Sequence, residues 1–192
     1  PAACIIGEPS GVEGVTLGYK GNLRLRASFA CELTHTAGPD ATATELAAAW
    51  WERVRQIAAR HNSNVQGTFA SLQARLRSIQ TSEGGLIDRA VCELGFRLPP
   101  GLEPAALEAE LRELSAMALP RPQMEFYGHD VAWLSDRNDA VVRAVSAAIR
   151  AEGMRPQPKH KTGTADMNVV GPVWRCPIAA YGPGDSGLDH TP

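Results

Sequence analysis

Two residues near opposite ends of the sequence could bind a metal ion. Glu8 follows a short apolar run at residues 2–6, and His190 follows an apolar segment at 176–180 and a glycine-rich loop. A loop at the end of a strand often carries functional side chains, because the strand positions them while the loop leaves them accessible. A carboxylate and a neutral imidazole together suit Zn²⁺. Two ligands do not complete a site, so a solvated turn residue is the alternative interpretation of Glu8.

Two other places in the sequence could bind an anionic group of a substrate. The segment Gly163-Thr164-Ala-Asp166 could present backbone N–H groups at a helix start, although Thr164 or Asp166 as an ordinary N-cap explains the pattern equally well. Arg97 could pair a carboxylate through two hydrogen bonds, or it could be a solvated strand arginine. His35 lies in a loop, where a surface histidine is the ordinary interpretation.

Two charged clusters have simpler interpretations. Asp185 and Asp189 flank the glycine-rich turn, where Asp side chains commonly bond to nearby backbone. Lys159, His160 and Lys161 form a basic cluster that is typical of a solvated face and could also steer an acidic partner protein. No nucleophile elbow, Walker loop or dinucleotide-binding fingerprint occurs.

The central part of the sequence predicts six elements in the order β-α-β-β-α-β. Alternating apolar residues predict strands, helical spacing predicts helices, and Thr42 with Glu45 forms a capping box at the first helix. The predicted elements are strand 23–33, helix 42–60, strand 70–76, strand 86–98, a helix from Pro104 and strand 124–127. This order predicts a ferredoxin-like sandwich, with two helices on one face of an antiparallel sheet.

The flanking segments predict a second layer of alternating strands and helices. The predicted elements are a strand at 2–6 buried on both faces, a helix at 139–152, an irregular Pro-broken segment at 154–159, a helix start at 161–168 and a strand at 173–180. The expected fold class is therefore α/β plus α+β: residues 1–12 and 129–192 form a partial α/β catalytic domain, and residues 13–128 form the ferredoxin-like insert.

Composition excludes several classes of protein. Apolar residues make up 44% of the 192 residues, charged residues 21%, and the net charge is −2, so we expect neither nucleic-acid nor membrane binding. The four cysteines are far apart, which favours buried thiols over disulfides and a reducing, cytoplasmic location. Because the sequence begins at Pro1 without Met, we expect an excised piece of a longer protein.

Four segments together resemble the dinuclear-zinc deacylase and carboxypeptidase family. They are GEPS at 7–10, THTAGP at 34–39, KTGTADMN at 161–168 and YGPGDSGLDHTP at 181–192. The family includes acetylornithine deacetylase, succinyl-diaminopimelate desuccinylase and aminoacylase. The last two segments look most like its lysine-biosynthesis branch, formerly called acetyl-lysine deacetylases, whose enzymes release lysine or ornithine from an amino-group carrier protein.

The resemblance implies a role for each candidate residue. Glu8 would bind one zinc ion and His190 the other, with cobalt as an alternative metal. His35 would reach into the site of a partner subunit and polarise the scissile carbonyl. Arg97 and the Gly163–Thr164 turn would hold the substrate carboxylate. The insert would be a lid and dimerisation domain, which implies a homodimer. The binding partner would be a small amino-acid-derived substrate or an acidic amino-group carrier protein.

The resemblance also shows what this sequence lacks. The family's His-x-Asp ligands, its bridging Asp and the Glu-Glu pair that supplies the general base have no counterpart here, and Glu83-Gly84-Gly85 replaces an Asn often found before the third strand. We therefore expect a cytoplasmic zinc-dependent amidohydrolase as the full-length protein, and weak metal binding and no activity from this chain alone. The alternative function is a dimerisation or interaction module without catalysis of its own.

Overall fold

The structure is a computed structural model that describes residues 1–33, 35, 38–185 and 187. The strands of the described chain are β1 Cys4–Ile6, β2 Gly14–Tyr19, β3 Gly21–Glu32, β4 Gln73–Gly84, β5 Ile87–Leu98, β6 Gln123–Asp130, β7 Trp133–Leu134, β8 Gln157–Lys161 and β9 Ile178–Ala180. Its helices are α1 Ala43–His61, α2 Pro104–Ala116, α3 Ala140–Ala151 and α4 Asp166–Trp174. They fall into two compact units, which are described separately.

One unit, residues 22–98 and 102–129, contains the predicted β-α-β-β-α-β order from β3 to β6. Its sheet has the strand order β4-β5-β3-β6. Alternate β3 residues from Leu23 to Phe29 are buried with α1 and α2, because successive strand side chains point to opposite faces. Phe29 packs edge-on against Trp50 with ring centroids 5.7 Å apart. The indole N–H of Trp50 donates to Ser115 Oγ on α2 at 3.1 Å, so its polar edge is satisfied within the core.

The predicted antiparallel pair in this unit is the hairpin of β4 and β5, with Gly84 opposite Ile87. The turn is formed by Gly85 and Leu86, and Gly85 has a φ of 65°, which favours glycine. The N–H of Leu33 donates to Leu86 O at 2.8 Å. The residues that follow β3 therefore lie at the hairpin end of the sheet.

The other unit, called the outer unit because its segments flank the first unit in the sequence, comprises residues 1–21, 99–101 and 130–192 and is built on a mixed sheet. Its strand order is β1-β9-β2-β7, and β8 also pairs with β2. Successive residues of β9 point to opposite faces: Ala179 packs in the cluster of α3, whereas Ile178 and Ala180 pack with Met167 of α4. The sheet is therefore covered by one helix on each face, as expected for an α/β layer.

The first predicted domain boundary, after residue 12, differs from the division in the structure. The outer unit continues to Gly21 because β2, which was not predicted, pairs with β7, β8 and β9. All six residues of β2 are buried, so it lacks the alternation by which half-buried strands are found. An irregularity between Thr16 and Gly18 shifts its register with β8.

Three predictions for the outer unit were wrong. The strand predicted as buried on both faces, β1, lies at the sheet edge, and its Ile5 is 58% exposed among the described residues. The segment predicted as irregular at 154–159 contains most of β8, because a parallel pairing with β2 overrides its prolines. Residues 173–174, predicted as strand, end α4 instead, and Arg175 terminates that helix with a φ of 48°. Within the described part of the chain, no helix has the length and apolar character needed to cross a membrane.

Candidate active site

Two loops of the outer unit leave the sheet at the same edge. Strands β1 and β9 are parallel, with Ile6 opposite Ala180, so the loop that carries Glu8 and the glycine-rich loop begin side by side. Three backbone hydrogen bonds continue the pairing beyond the strands: Tyr181 N to Ile6 O at 3.0 Å, Ser10 N to Gly182 O at 2.8 Å and Gly11 N to Gly184 O at 2.9 Å. The two loops therefore lie side by side as far as Gly184, as expected for loops that follow strands ending at one edge of a sheet.

The close approach of the two loops explains two of the glycines. A Cβ atom at Gly182 would lie 2.7 Å from the carbonyl oxygen of Glu8 and 3.1 Å from its carbonyl carbon. A Cβ atom at Gly184 would lie 3.1 Å from the Cβ of Pro9. Sequence reasoning interpreted these glycines as turn formers, but here they are needed for contact between the loops.

Glu8 is half-buried at this edge, and its carboxylate makes no hydrogen bond or ion pair with the described residues. Its backbone is fixed, because its N–H donates to Ile6 O at 3.0 Å and its carbonyl accepts from Ser10 Oγ at 3.3 Å. A partly buried carboxylate needs a compensating partner. Its position and its donor oxygens therefore fit a ligand for a divalent metal ion.

Side chains from three other elements hold the backbone of the Glu8 loop. Lys159 Nζ donates to Ser10 O at 2.9 Å, and Lys161 Nζ donates to Pro9 O. Tyr181 OH donates to Val12 O at 3.0 Å, and Ser10 Oγ pairs with the buried Thr16 Oγ1 at 2.9 Å. Lys159 is exposed, in line with the solvated-face interpretation, and Lys161 is half-buried, but both ammonium groups donate to backbone carbonyls. Their spacing of two would have placed both on one face of a strand if β8 had been predicted.

The other predicted metal ligand, His190, lies outside the described residues, as does Asp189. Asp185 Oδ1 accepts the N–H of Gly187 at 2.8 Å, which confirms the local-turn interpretation of that aspartate. Within residues 1–33, 35, 38–185 and 187, no group of three or more His, Cys, Asp or Glu side chains could hold a metal ion.

The Gly163–Thr164 turn lies between β8 and α4 in the same unit. The interpretation of Thr164 or Asp166 as the N-cap was wrong: the N-cap is Ala165, which has no side-chain cap, and Asp166 is the first helical residue.

Sequence reasoning missed the role of Asn168, whose side chain is buried and makes three hydrogen bonds. Its Oδ1 accepts the Ala165 N–H at 2.9 Å, and its Nδ2 donates to Lys20 O at 3.1 Å and to Val131 O at 2.7 Å. This side chain fixes the start of α4, and with it the position of the Gly163–Thr164 turn.

His35 and Arg97 belong to the other unit and lie at opposite ends of its sheet. His35 is exposed and lines a cavity of about 570 Å³ beside the start of α1. Arg97 is half-buried and lies opposite Gln73 at the far end of β5. Ten residues of strand separate Arg97 from Ile87 at the hairpin end, which is roughly 33 Å at the usual rise.

A polar network on this second sheet was also missed by sequence reasoning. Glu93 accepts from Arg26 Nε at 2.7 Å and from Tyr127 OH at 2.9 Å. Burial acts to raise the pKa of Glu93, but the hydrogen bonds from Arg26 and Tyr127 outweigh it, so this pKa is lowered. Burial, followed by the bond to Glu93, raises the pKa of Tyr127. At neutral pH the glutamate is therefore ionised and the phenol is protonated.

Comparison with solved structures defines the class of fold. The aminopeptidase PepT from Bacillus cereus matches 94% of this chain and 48% of its own, with a TM-score of 0.72 and 13% identity. An M20 family metallo-carboxypeptidase from Sulfolobus solfataricus matches 91% of this chain and 62% of its own, with a TM-score of 0.63 and 14% identity. The chain therefore has the fold found in the matching parts of these two peptidases. No family model matches its sequence.

Comparison with curated protein sequences finds relatives that are more similar to this chain than the solved structures are. A [LysW]-lysine hydrolase from Deinococcus radiodurans is 42% identical over 195 residues, which is 100% of this chain and 53% of that protein. A protein from Thermococcus kodakarensis with the provisional name [LysW]-lysine/[LysW]-ornithine hydrolase is 38% identical, with 100% and 49% covered. The chain spans about half the length of these curated relatives. Over the whole of its own length the chain is similar to these [LysW]-lysine hydrolases, which confirms the resemblance seen in its motifs.

Proposed function

We propose that the full-length protein is a zinc-dependent amidohydrolase that releases lysine or ornithine from an acylated or carrier-linked precursor in amino-acid biosynthesis. The observation that carries this proposal is the joining of the Glu8 loop to the glycine-rich loop that precedes His190. The names of the relatives support an amide linked to the carrier protein LysW as the substrate. We expect that carrier to be acidic.

In this proposal, Glu8 binds one zinc ion and His190 binds a second, and cobalt could replace zinc. The metal ions would polarise the amide carbonyl and supply an activated water. The chain's own contribution is to hold the Glu8 backbone through the adjacent loop, so that its carboxylate is presented at the sheet edge. The Gly163–Thr164 turn lies before the first backbone N–H groups of α4, which suits a substrate carboxylate.

Arg97 and His35 belong to the unit formed by residues 22–98 and 102–129, and both would act on the substrate. Arg97 would pair the substrate carboxylate, and His35 would donate a hydrogen bond to the scissile carbonyl oxygen. The separation of roughly 33 Å along β5 supports the idea that His35 serves the site of a partner subunit. A small amino-acid substrate cannot span that distance within one sheet.

This unit would be a ferredoxin-like lid and dimerisation domain, which makes the protein a homodimer. The strand order β4-β5-β3-β6 supports the fold, and the position of the 12-residue β4 at the sheet edge supports pairing with a second copy. The same edge favours the alternative function, a dimerisation module without catalysis. Four free cysteines support a reducing, cytoplasmic location.

The test is hydrolysis of [LysW]-lysine and of acetyl-lysine by the full-length protein with and without zinc. We expect zinc-dependent release of lysine, its loss in Glu8→Gln, and retention in the exposed control Glu152→Gln. This 192-residue chain alone should show no turnover, because the family's general base is absent from its sequence. Turnover by the chain alone, or full activity of Glu8→Gln, would contradict the proposal.

A further inference from the structure

We propose that Lys159 and Lys161 are positioning residues that hold the Glu8 loop in its metal-binding geometry. The two lysines alternate along β8 and donate to consecutive carbonyls, those of Ser10 and Pro9. No backbone N–H of the described residues donates to either carbonyl. This inference rests on the proposed function, because it takes Glu8 to be a metal ligand.

Two glycines border the Lys159 side chain. A Cβ atom at Gly14 would lie 3.2 Å from Lys159 Cε and 1.9 Å from Ser10 O, and a Cβ atom at Gly11 would lie 3.8 Å from Lys159 Nζ. Gly11 also has a φ of 78°, a conformation that other residues rarely adopt. The Ser10 carbonyl therefore requires glycine at position 14, which also leaves room for the Lys159 side chain.

The position of Lys161 is supported from a neighbouring strand. Its residue is half-buried, and its Nζ lies 5.9 Å from the ring centroid of Tyr19, a distance at which cation–π attraction contributes. In the sheet, Lys161 is opposite Tyr19 and Lys159 is opposite Thr16, so β2 fixes the register of both lysines. Neither ammonium group depends on a long flexible loop for its placement.

Fixing the loop in advance should strengthen metal binding, because a ligand that is already ordered loses less conformational entropy when the metal binds. Outer partners that orient metal ligands typically contribute about 10- to 100-fold in metal affinity. A purely electrostatic influence has the opposite sign, since removing a positive charge near a divalent cation strengthens its binding. The direction of the change in zinc affinity therefore distinguishes a positioning role of the two lysines from a purely electrostatic one.

The experiment measures the zinc affinity of the full-length protein by competition with a chromophoric chelator. Lys159→Met and Lys161→Met keep the apolar stem and remove the donor, and Lys159→Arg restores a donor. Arg155→Met is the matched control, because it removes the same charge from an exposed side chain in the same segment. Glu8→Gln reports the loss of the ligand itself, and the thermal midpoint of each metal-free variant reports general destabilisation.

We expect each Met variant to bind zinc about 10-fold more weakly, Lys159→Arg to recover most of the affinity, and Arg155→Met to match the wild type. Unchanged or tighter binding in the Met variants, with Glu8→Gln still weakened, overturns the inference and leaves the proposed function standing. Equal weakening in Arg155→Met also overturns it. If Glu8→Gln binds zinc as well as the wild type, the proposed function itself fails.

Discussion

The contact between the two loops predicts a large and specific effect of Gly182→Ala. The added Cβ atom would lie 2.7 Å from Glu8 O, and the two atoms must separate by about 0.7 Å to reach an ordinary contact of 3.4 Å. Overpacking of this kind costs about 1 to 3 kcal/mol. Separation of the loops also weakens the 2.8 Å bond between Ser10 N and Gly182 O, at about 1 kcal/mol. We expect a loss of about 3 kcal/mol in the free energy of unfolding.

A loss of this size should lower the melting temperature of the outer unit by roughly 12 to 24 °C in differential scanning calorimetry. The control is Gly7→Ala, directly after β1 in the loop that carries Glu8, where an added Cβ has no heavy atom within 4 Å. Both substitutions reduce the entropy of the unfolded chain equally, so the difference between their melting temperatures reports the cost of disturbing the loop contact. Melting temperatures within 2 °C of each other would refute the loop contact.

Three further effects follow from buried or hydrogen-bonded side chains. Asn168→Leu should lower the free energy of unfolding in urea by about 3 kcal/mol, because one buried and two half-buried backbone groups lose their partner; a loss below 1 kcal/mol would contradict this. Hydrogen bonds from His129, then Arg112, lower the pKa of Glu108, so their stabilisation is present above its ordinary value of 4.5 and is lost as pH falls through the lowered pKa. The stability difference between wild type and Glu108→Gln should therefore shrink below pH 4.5 in urea titrations, and a constant difference would argue against it. Burial raises the pKa of the Cys92 thiol to about 11, so a thiol reagent at neutral pH should label Cys92 only after unfolding. Labelling of Cys92 itself in the folded chain would contradict its burial.

The sequence was informative where residues alternate or follow helical spacing. The apolar positions of β3 and the capping box at Thr42 predicted a strand and a helix that the structure contains. The edge shared by Glu8 and the glycine-rich loop was also predictable, because parallel strands that end together bring their loops together.

The sequence could not show contacts whose partner is backbone far away in the chain. The carbonyls bound by Lys159 and Lys161 lie about 150 residues earlier, and nothing in the residue type of Pro9 or Ser10 marks them as acceptors. β2 was missed because burial on both faces removes the alternation of polar and apolar residues. The three hydrogen bonds of Asn168 likewise depend on tertiary neighbours.

The most direct measurement is an anomalous difference map at the zinc absorption edge from crystals of the full-length protein with zinc. We predict a peak about 2.0 to 2.2 Å from a carboxylate oxygen of Glu8, at the edge where the two loops are joined. A second peak should lie within bonding distance of the His190 imidazole. Zinc bound elsewhere, with no peak beside Glu8, would contradict the assignment of this edge as a metal site.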